Sequence, residues 1–357
     1  MALTRYKGAR LERVLGSKQL VEGRFRNVTG LGARLKTSAL PLIGEYFFGD
    51  AQRRPPVPLP FLDPRESWSR SVETGLRVTW LGHSTVLLEM DGVRVLTDPV
   101  FGERASPVAY AGPRRFHAVP ASIAQLPPID LVVLSHDHYD HLCSASVVQL
   151  AKLGVPIVTA LGVGHRLEAF GIPAAQITEL DWHESHSIAG LTVHATPAQH
   201  FSGRGFGDRN RTLWASWVLQ SDRHRVFFSG DTGLTEQFRE TGATYGPFDL
   251  TLLEIGAFHP SWGDIHLGPE NALKVFEMLG GGTLLPVHWG TFDLGLHSWN
   301  DPGDQILQLA KAQGARVLTP RLGAVFEPTR VDGPTPWWQE LQAGAKARLR
   351  SPHPTAG

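Results

Sequence analysis

The stretch Asp130-Leu-Val-Val-Leu-Ser-His-Asp-His-Tyr-Asp-His141 decides how this chain is read. Its first half is a short apolar run of the kind that forms a buried β-strand. Its second half sets His136, His138, Asp140 and His141 directly behind that strand. Alternate residues of an extended segment point the same way, so His136 and His138 can aim at one ion while Asp140 and His141, after the chain turns, aim at a second. A metal-dependent hydrolase is the leading expectation. Its remaining ligands should then lie just beyond other apolar runs, where loops gather on one rim of the fold. His200, Asp231 and His288 meet that condition, following Val193-His-Ala-Thr-Pro-Ala-Gln199, Val226-Phe-Phe-Ser-Gly230 and Leu284-Leu-Pro-Val287. Any one of them alone would more often be a hydrogen-bonded structural residue; together, after the first string, they favour metal.

The residue types suit the chemistry. Three imidazoles (His136, His138, His200) suit one Zn2+, Asp140, His141 and His288 suit another, and a carboxylate such as Asp231 can bridge both. Two zinc ions per chain would lower the pKa of a shared water, so that hydroxide rather than a side chain is the nucleophile at a phosphoryl or acyl centre.

Composition sets the frame. At 357 residues, with 42% apolar residues, 38 glycines and 26 prolines, the chain reads as a globular protein rich in turns. No run of about 18 apolar residues offers a membrane span. The start, Met-Ala-Leu-Thr-Arg-Tyr-Lys-Gly, lacks an apolar signal core, and the single Cys143 cannot form an intramolecular disulfide, so the expected location is the cytoplasm. Net charge is zero, yet residues 1–40 hold nine Lys or Arg against two Glu. That basic arm and the apolar stretch Ala39–Phe48 read either as a peripheral lipid-docking element or as a solvated face plus a segment packed on the core, the second being favoured because basic termini are common. The body shows no basic stripe or aromatic–basic alternation, so nucleic acid is not an expected partner.

Along the chain, residues 1–75 form the basic extension and a proline-rich connector (Arg53-Arg-Pro-Pro-Val-Pro-Leu-Pro60), 76–330 the hydrolase domain and 331–357 a tail. Strands are expected at Arg77–Leu81, Thr85–Met90 and Val93–Thr97, with Asp91-Gly92 as a hairpin turn. More follow at 130–135, Pro156–Thr159, Leu191–Ala195, Leu213–Leu219, Arg225–Ser229, Leu250–Ile255, Thr283–Val287, Arg316–Thr319 and Ala324–Phe326. Helices are expected at Ser144–Leu153, up to Phe170, at Pro269–Met278 and at Gln305–Gln313. Early strands without helices and later alternation predict a mixed α/β (α+β) fold, an αββα sandwich.

The pattern from about Arg77 to Phe326 resembles the metallo-β-lactamase superfamily, whose ligand scheme is His-x-His-x-Asp-His, then His, Asp and His. The wording is closer still to the branch of N-acylphosphatidylethanolamine-hydrolysing phospholipase D. Val78-Thr-Trp-Leu-Gly-His-Ser-Thr85, Leu96-Thr-Asp-Pro-Val-Phe101, Phe227-Phe-Ser-Gly-Asp-Thr-Gly233 and Val287-His-Trp-Gly-Thr-Phe292 carry the resemblance, among others. It implies a four-layer αββα fold, zinc at the seven positions above, and cleavage of a phospholipid phosphodiester to phosphatidic acid and an N-acylethanolamine. It also implies a catalytic part for Asp140 and for His266, in Asp264-Ile-His-Leu-Gly-Pro-Glu270, since a histidine near neutral pH can protonate an alkoxide leaving group. His83 and Asp98 resemble positions where an imidazole or carboxylate orients the ligand histidines. The loop Ala257–Ile265 departs from the family, being shorter and carrying Ile265 in place of a polar residue, and the amino-terminal region does not match it.

His117, His165, His183, His186, His194, His224, His259 and His297 show no ligand spacing. Trp182, Trp214, Trp217, Trp262 and Trp289 cluster around the ligand segments, with core packing favoured over an acyl-chain wall. The same metals would equally serve a lactonase or other acyl hydrolase, and a non-catalytic metal-binding module is a third reading, disfavoured by the full ligand set.

Overall fold

The computed structural model describes residues 6–30, 36, 38–205 and 207–341. Arg5 and Arg34 of the basic arm and residues 342–357 of the tail lie outside them. The amino-terminal region holds helix α1 (Gly8–Gly16), a short hairpin of β1 (Leu20–Val21) and β2 (Arg24–Phe25), helix α2 (Ala39–Phe48) and the single turn α3 (Arg65–Trp68). The meander β3 (Leu76–Gly82), β4 (Thr85–Met90) and β5 (Val93–Thr97) follows, and Met90 pairs with Val93 across Asp91 and Gly92. Both turn residues have positive φ (49° and 90°), the conformation an Asp-Gly hairpin turn favours.

From there strands and helices alternate: β6 (Leu131–Leu134), α4 (Ser144–Lys152), β7 (Ile157–Ala160), α5 (Gly164–Ala169) and β8 (Ile177–Leu180). A second set comprises β9 (Ser185–Ile188), β10 (Leu191–Thr196), β11 (Ser216–Gln220), β12 (Arg225–Phe228), α6 (Gln237–Tyr245), β13 (Leu250–Glu254), α7 (Gly268–Met278), β14 (Leu284–Val287), α8 (Asp301–Gln313) and β15 (Val325–Phe326). They build a seven-stranded sheet, β15-β3-β4-β5-β6-β7-β8, and a six-stranded sheet, β14-β13-β12-β11-β10-β9. Apolar side chains of both sheets form one core, with α5 against β8 and α7 against β13 between α6 and α8, so the four-layer sandwich expected from the sequence is the fold.

The pairing places the site. β5 runs parallel to β6 and, through two antiparallel pairings, to β3; β10, β12, β13 and β14 share one direction by the same logic. Each sheet therefore delivers the carboxyl ends of several strands to one rim, and the loops after β6, β10, β12 and β14 carry the expected ligands.

The structure differs from expectation in places with physical causes. β8 and β9 each form one edge of their sheet and mix polar with apolar residues, so their periodicity is weak. Helix α6 was not expected: it contains Gly242, where a Cβ would meet the Met278 carbonyl oxygen at 2.4 Å, a close approach that outweighs helix propensity. β11 starts at Ser216 because Leu213 N–H and Ala215 N–H donate instead to the carbonyls of Leu161 and Ser135. Arg316–Thr319 contributes an isolated bridge, Val317 to Leu284, rather than a strand.

Both flanking segments reach the core. Tyr6, Val14 and Phe25 from one side and Trp337 and Trp338 from the other are buried within it. Arg10 pairs with Glu168 and Glu179, Arg13 with Glu184 and Lys36 with Asp264, so part of the basic arm's charge is neutralised by the body.

Candidate metal centre

All seven expected ligand residues converge on that rim. Behind β6 the chain turns at once, with Leu142 N–H donating to the His138 carbonyl at 2.7 Å, which swings Asp140 and His141 away from His136 and His138. His136, His138, His200 and Asp231 form one group of converging donor atoms; Asp140, His141 and His288 form another, with His83 beside them. Asp231 faces both. Its Oδ2 lies 3.8 Å from His136 Nε2 and 3.6 Å from His200 Nε2, while its Oδ1 lies 3.1 Å from His141 Nε2 and 3.2 Å from His288 Nε2.

Hydrogen bonds behind the rings assign their tautomers. Ser135 Oγ donates to Asp98 Oδ2 at 2.6 Å, so His136 Nδ1–H donates to that hydroxyl oxygen at 2.9 Å and Nε2 is left as a lone pair. His200 Nδ1–H donates to the Ile265 carbonyl at 2.8 Å, and His141 Nδ1–H to Asp98 Oδ2 at 2.6 Å. Asp98 also accepts from Ser135 N–H at 2.7 Å, so one buried carboxylate fixes the strand end and a ring.

These lone pairs converge. His136 Nε2 is 2.8 Å and His200 Nε2 3.3 Å from His138 Nδ1, which can donate to only one of them. His141 Nε2 and Asp231 Oδ1 are buried, 3.1 Å apart, and lack a hydrogen-bond partner. Buried imidazole nitrogens and carboxylate oxygens pointed at one another are a set that a metal ion satisfies, so the donors fit metal binding.

His83 Nε2 is 3.1 Å and His288 Nε2 3.3 Å from Asp140 Oδ2, which ties that carboxylate into the second group. His83, expected only to orient ligands, thus sits at the second position itself. His266 stands beside both pockets, its ring centroid 5.1 Å from that of His200 and 5.3 Å from that of His288. Its Nδ1–H donates to Glu254 Oε2 at 2.7 Å, which leaves Nε2 outside that bond. Burial disfavours charge on His266, yet Glu254 outweighs it and raises the pKa above the ordinary value.

Glu254 was missed in the sequence although its signal was present. It ends the apolar run Leu250-Thr-Leu-Leu-Glu254, a charged residue at a strand end like the others, and it is fully buried. The site opens into a cavity of about 350 Å3 lined on one side by Phe201, Trp262, Ile265 and Leu294, with Arg209 among its polar residues. Trp182, Trp214, Trp217 and Trp289 are core residues as expected, whereas Trp262 faces the cavity.

Comparison with known proteins gives this geometry a lineage. A β-lactamase superfamily domain matches residues 93–289. N-acyl-phosphatidylethanolamine-hydrolyzing phospholipase D 1 of Caenorhabditis elegans is 37% identical over 272 residues, covering 71% of this chain and 76% of that protein. The chain belongs to the metallo-β-lactamase superfamily, in the branch of N-acylphosphatidylethanolamine-hydrolysing phospholipases D. A Mycobacterium tuberculosis protein described only as uncharacterized is 47% identical over 290 residues, 80% of this chain and 77% of that protein. Among solved structures, a metallo hydrolase from Ignicoccus hospitalis superposes with a TM-score of 0.54 at 24% identity, over 71% of this chain and 98% of that one. An isothiocyanate hydrolase from Delia radicum gut bacteria superposes with a TM-score of 0.56 at 22% identity, over 70% and 98%. These two share the fold of this chain. This member of the superfamily is accordingly a metal-dependent hydrolase by family.

Proposed function

We propose that the protein is a dizinc phosphodiesterase of the phospholipase D type, which splits N-acylphosphatidylethanolamine or a related phosphodiester into phosphatidic acid and an N-acylethanolamine. The observation that carries this reading is the division of Asp231, one carboxylate oxygen toward each pocket, which suits two cations held side by side. His136, His138 and His200 would hold one ion, Asp140, His141 and His288 the other. The imidazole-rich set favours zinc. When bound, such a pair supplies Lewis acidity at the phosphoryl oxygens and lowers the pKa of water.

The chain's own residues account for the rest. Attack of water on phosphorus breaks the bond to the headgroup alcohol, whose oxygen then takes a proton. His266, anchored through Nδ1 by Glu254, is placed to give that proton from Nε2 and to recover one from water in the next turnover. Phe201, Trp262, Ile265 and Leu294 provide an apolar wall for an acyl-bearing substrate. Helix α2 supports a lipid surface as partner: Leu40, Ile43, Phe47 and Phe48 are exposed, and Glu45 on the same helix meets His259 of the cavity loop at 3.1 Å.

The test is hydrolysis of N-acylphosphatidylethanolamine vesicles beside bis(p-nitrophenyl) phosphate and a homoserine lactone. Release of the N-acylethanolamine in preference to lactone opening is expected; lactone opening alone would replace this reading with an acyl hydrolase. Phe47→Ser with Phe48→Ser should weaken vesicle binding while leaving hydrolysis of the soluble diester unchanged, and equal loss on both substrates would remove the lipid-docking role of α2.

A further inference from the structure

Asn27 lies far ahead of the residues matched by the superfamily domain, in the segment between the β1–β2 hairpin and α2. Its carboxamide meets the peptide groups of His200 on both sides. Oδ1 accepts from His200 N–H at 3.0 Å, and Nδ2 donates to the His200 carbonyl at 3.0 Å. Trp214 Nε1–H also donates to Oδ1 at 3.0 Å, and all three residues are buried. His200 stands four residues beyond β10, so no sheet ladder holds its backbone.

The neighbours act in the same direction. Thr29 Oγ1 donates to Gln199 Oε1 at 2.9 Å, and Gln199 Nε2 donates to the Asp264 carbonyl at 2.8 Å. Gly233 N–H donates to the Gln199 carbonyl at 2.7 Å, which links the His200 loop to the turn that carries Asp231. The hairpin is itself anchored, since Phe25 N–H donates to the Asn210 carbonyl at 2.8 Å.

We propose that Asn27 is a positioning residue for the three-imidazole pocket: it fixes the His200 peptide so that, with Nδ1 bonded to Ile265, the ring's Nε2 is aimed at His136, His138 and Asp231. The amino-terminal segment is then a working part of the metal centre, acting on one of its two pockets. This rests on the dimetal reading above, because His200 matters here as a ligand.

The test uses the full chain, stripped of metal by chelation and titrated with Co2+, whose visible absorption reports each ion as it binds. Asn27→Ala should weaken one of the two ions by about 10–100-fold, the range for groups that support a metal-bound imidazole, and leave the other as in wild type. Asn27→Asp keeps an acceptor for His200 N–H but sets an oxygen against the His200 carbonyl, and should weaken the same ion even if Asn27→Ala fails to fold. Val14→Ala opens a void in the same amino-terminal region, and should lower the melting temperature of the apoprotein without changing either Co2+ affinity. Asn27 variants that titrate like wild type, or that lose both ions in equal measure, would overturn the proposal. Wild-type protein that takes up no Co2+ would overturn the dimetal reading and this proposal with it.

Discussion

The two pockets on either side of Asp231 use the same residue types to opposite electrostatic ends. In the first, burial and then neighbouring imidazoles hold His136 well below the ordinary histidine pKa; burial chiefly holds His200 well below it too, and lowers His138. In the second, burial again opposes charge, but Asp231, Asp140 and Asp98 outweigh it at His141 and hold its pKa well above the ordinary value. His288 is raised to about 10 against the same opposing burial, chiefly by Asp231 and Asp140. The first pocket thus offers neutral lone pairs, whereas in the second the charged ring is favoured at His141 and His288 and burial holds His83 beside them down at about 3. Asp231 is buried between the two and turns one carboxylate oxygen toward each.

The strongest way to break this comparison is to remove what the pockets share. Asp231→Asn should reduce hydrolysis by more than about a hundredfold, the upper end for residues that merely support a ligand, and lower the bound-metal count at both pockets in elemental analysis. His266→Ala should reduce kcat by about 10²–10⁴-fold while the chain keeps its metal, separating proton transfer from metal binding. Asp98→Asn weakens the orientation of His141 and, through Ser135, of His136. Since its direct bond is to His141, a chelator titration should show about 10–100-fold weaker binding, mostly at the second pocket. The smallest effect concerns pH. Protons compete for His141 and His288 at a higher pH than for His136 and His200, so acidification should release the ion of the second pocket first, read as a two-step loss of Co2+ absorption.

Much of this site was legible in the sequence because the fold repeats one device. A short apolar strand ends, a turn follows, and a histidine or carboxylate stands at the rim, as at His136, His200, Asp231 and His288. Glu254 obeys the same rule and was overlooked because it belongs to the strand rather than to the loop behind it. His83 was harder to place, since it follows a strand of the other part of the meander and reaches Asp140 only through the tertiary fold. The strands at the sheet centres were legible from their apolar runs. Two of the four edge strands of the large sheets, β8 and β9, were not, because polar residues, which solvent permits there, interrupt their apolar run. Asn27 carried no signal at all. An asparagine after a short hairpin reads as a turn residue, and only the packing of the amino-terminal segment reveals that it holds a loop 173 residues away.

The claim that two cations and His266 make this chain a phosphodiesterase is tested most directly by one paired measurement. Purified wild-type protein is analysed for bound metal and assayed on N-acylphosphatidylethanolamine vesicles, before chelation, after chelation and after Zn2+ is restored. Two ions per chain, with N-acylethanolamine release that disappears on chelation and returns with Zn2+, is the expected result. Release that persists in fully stripped protein, or a chain that holds two ions and leaves the phosphodiester intact, would contradict it.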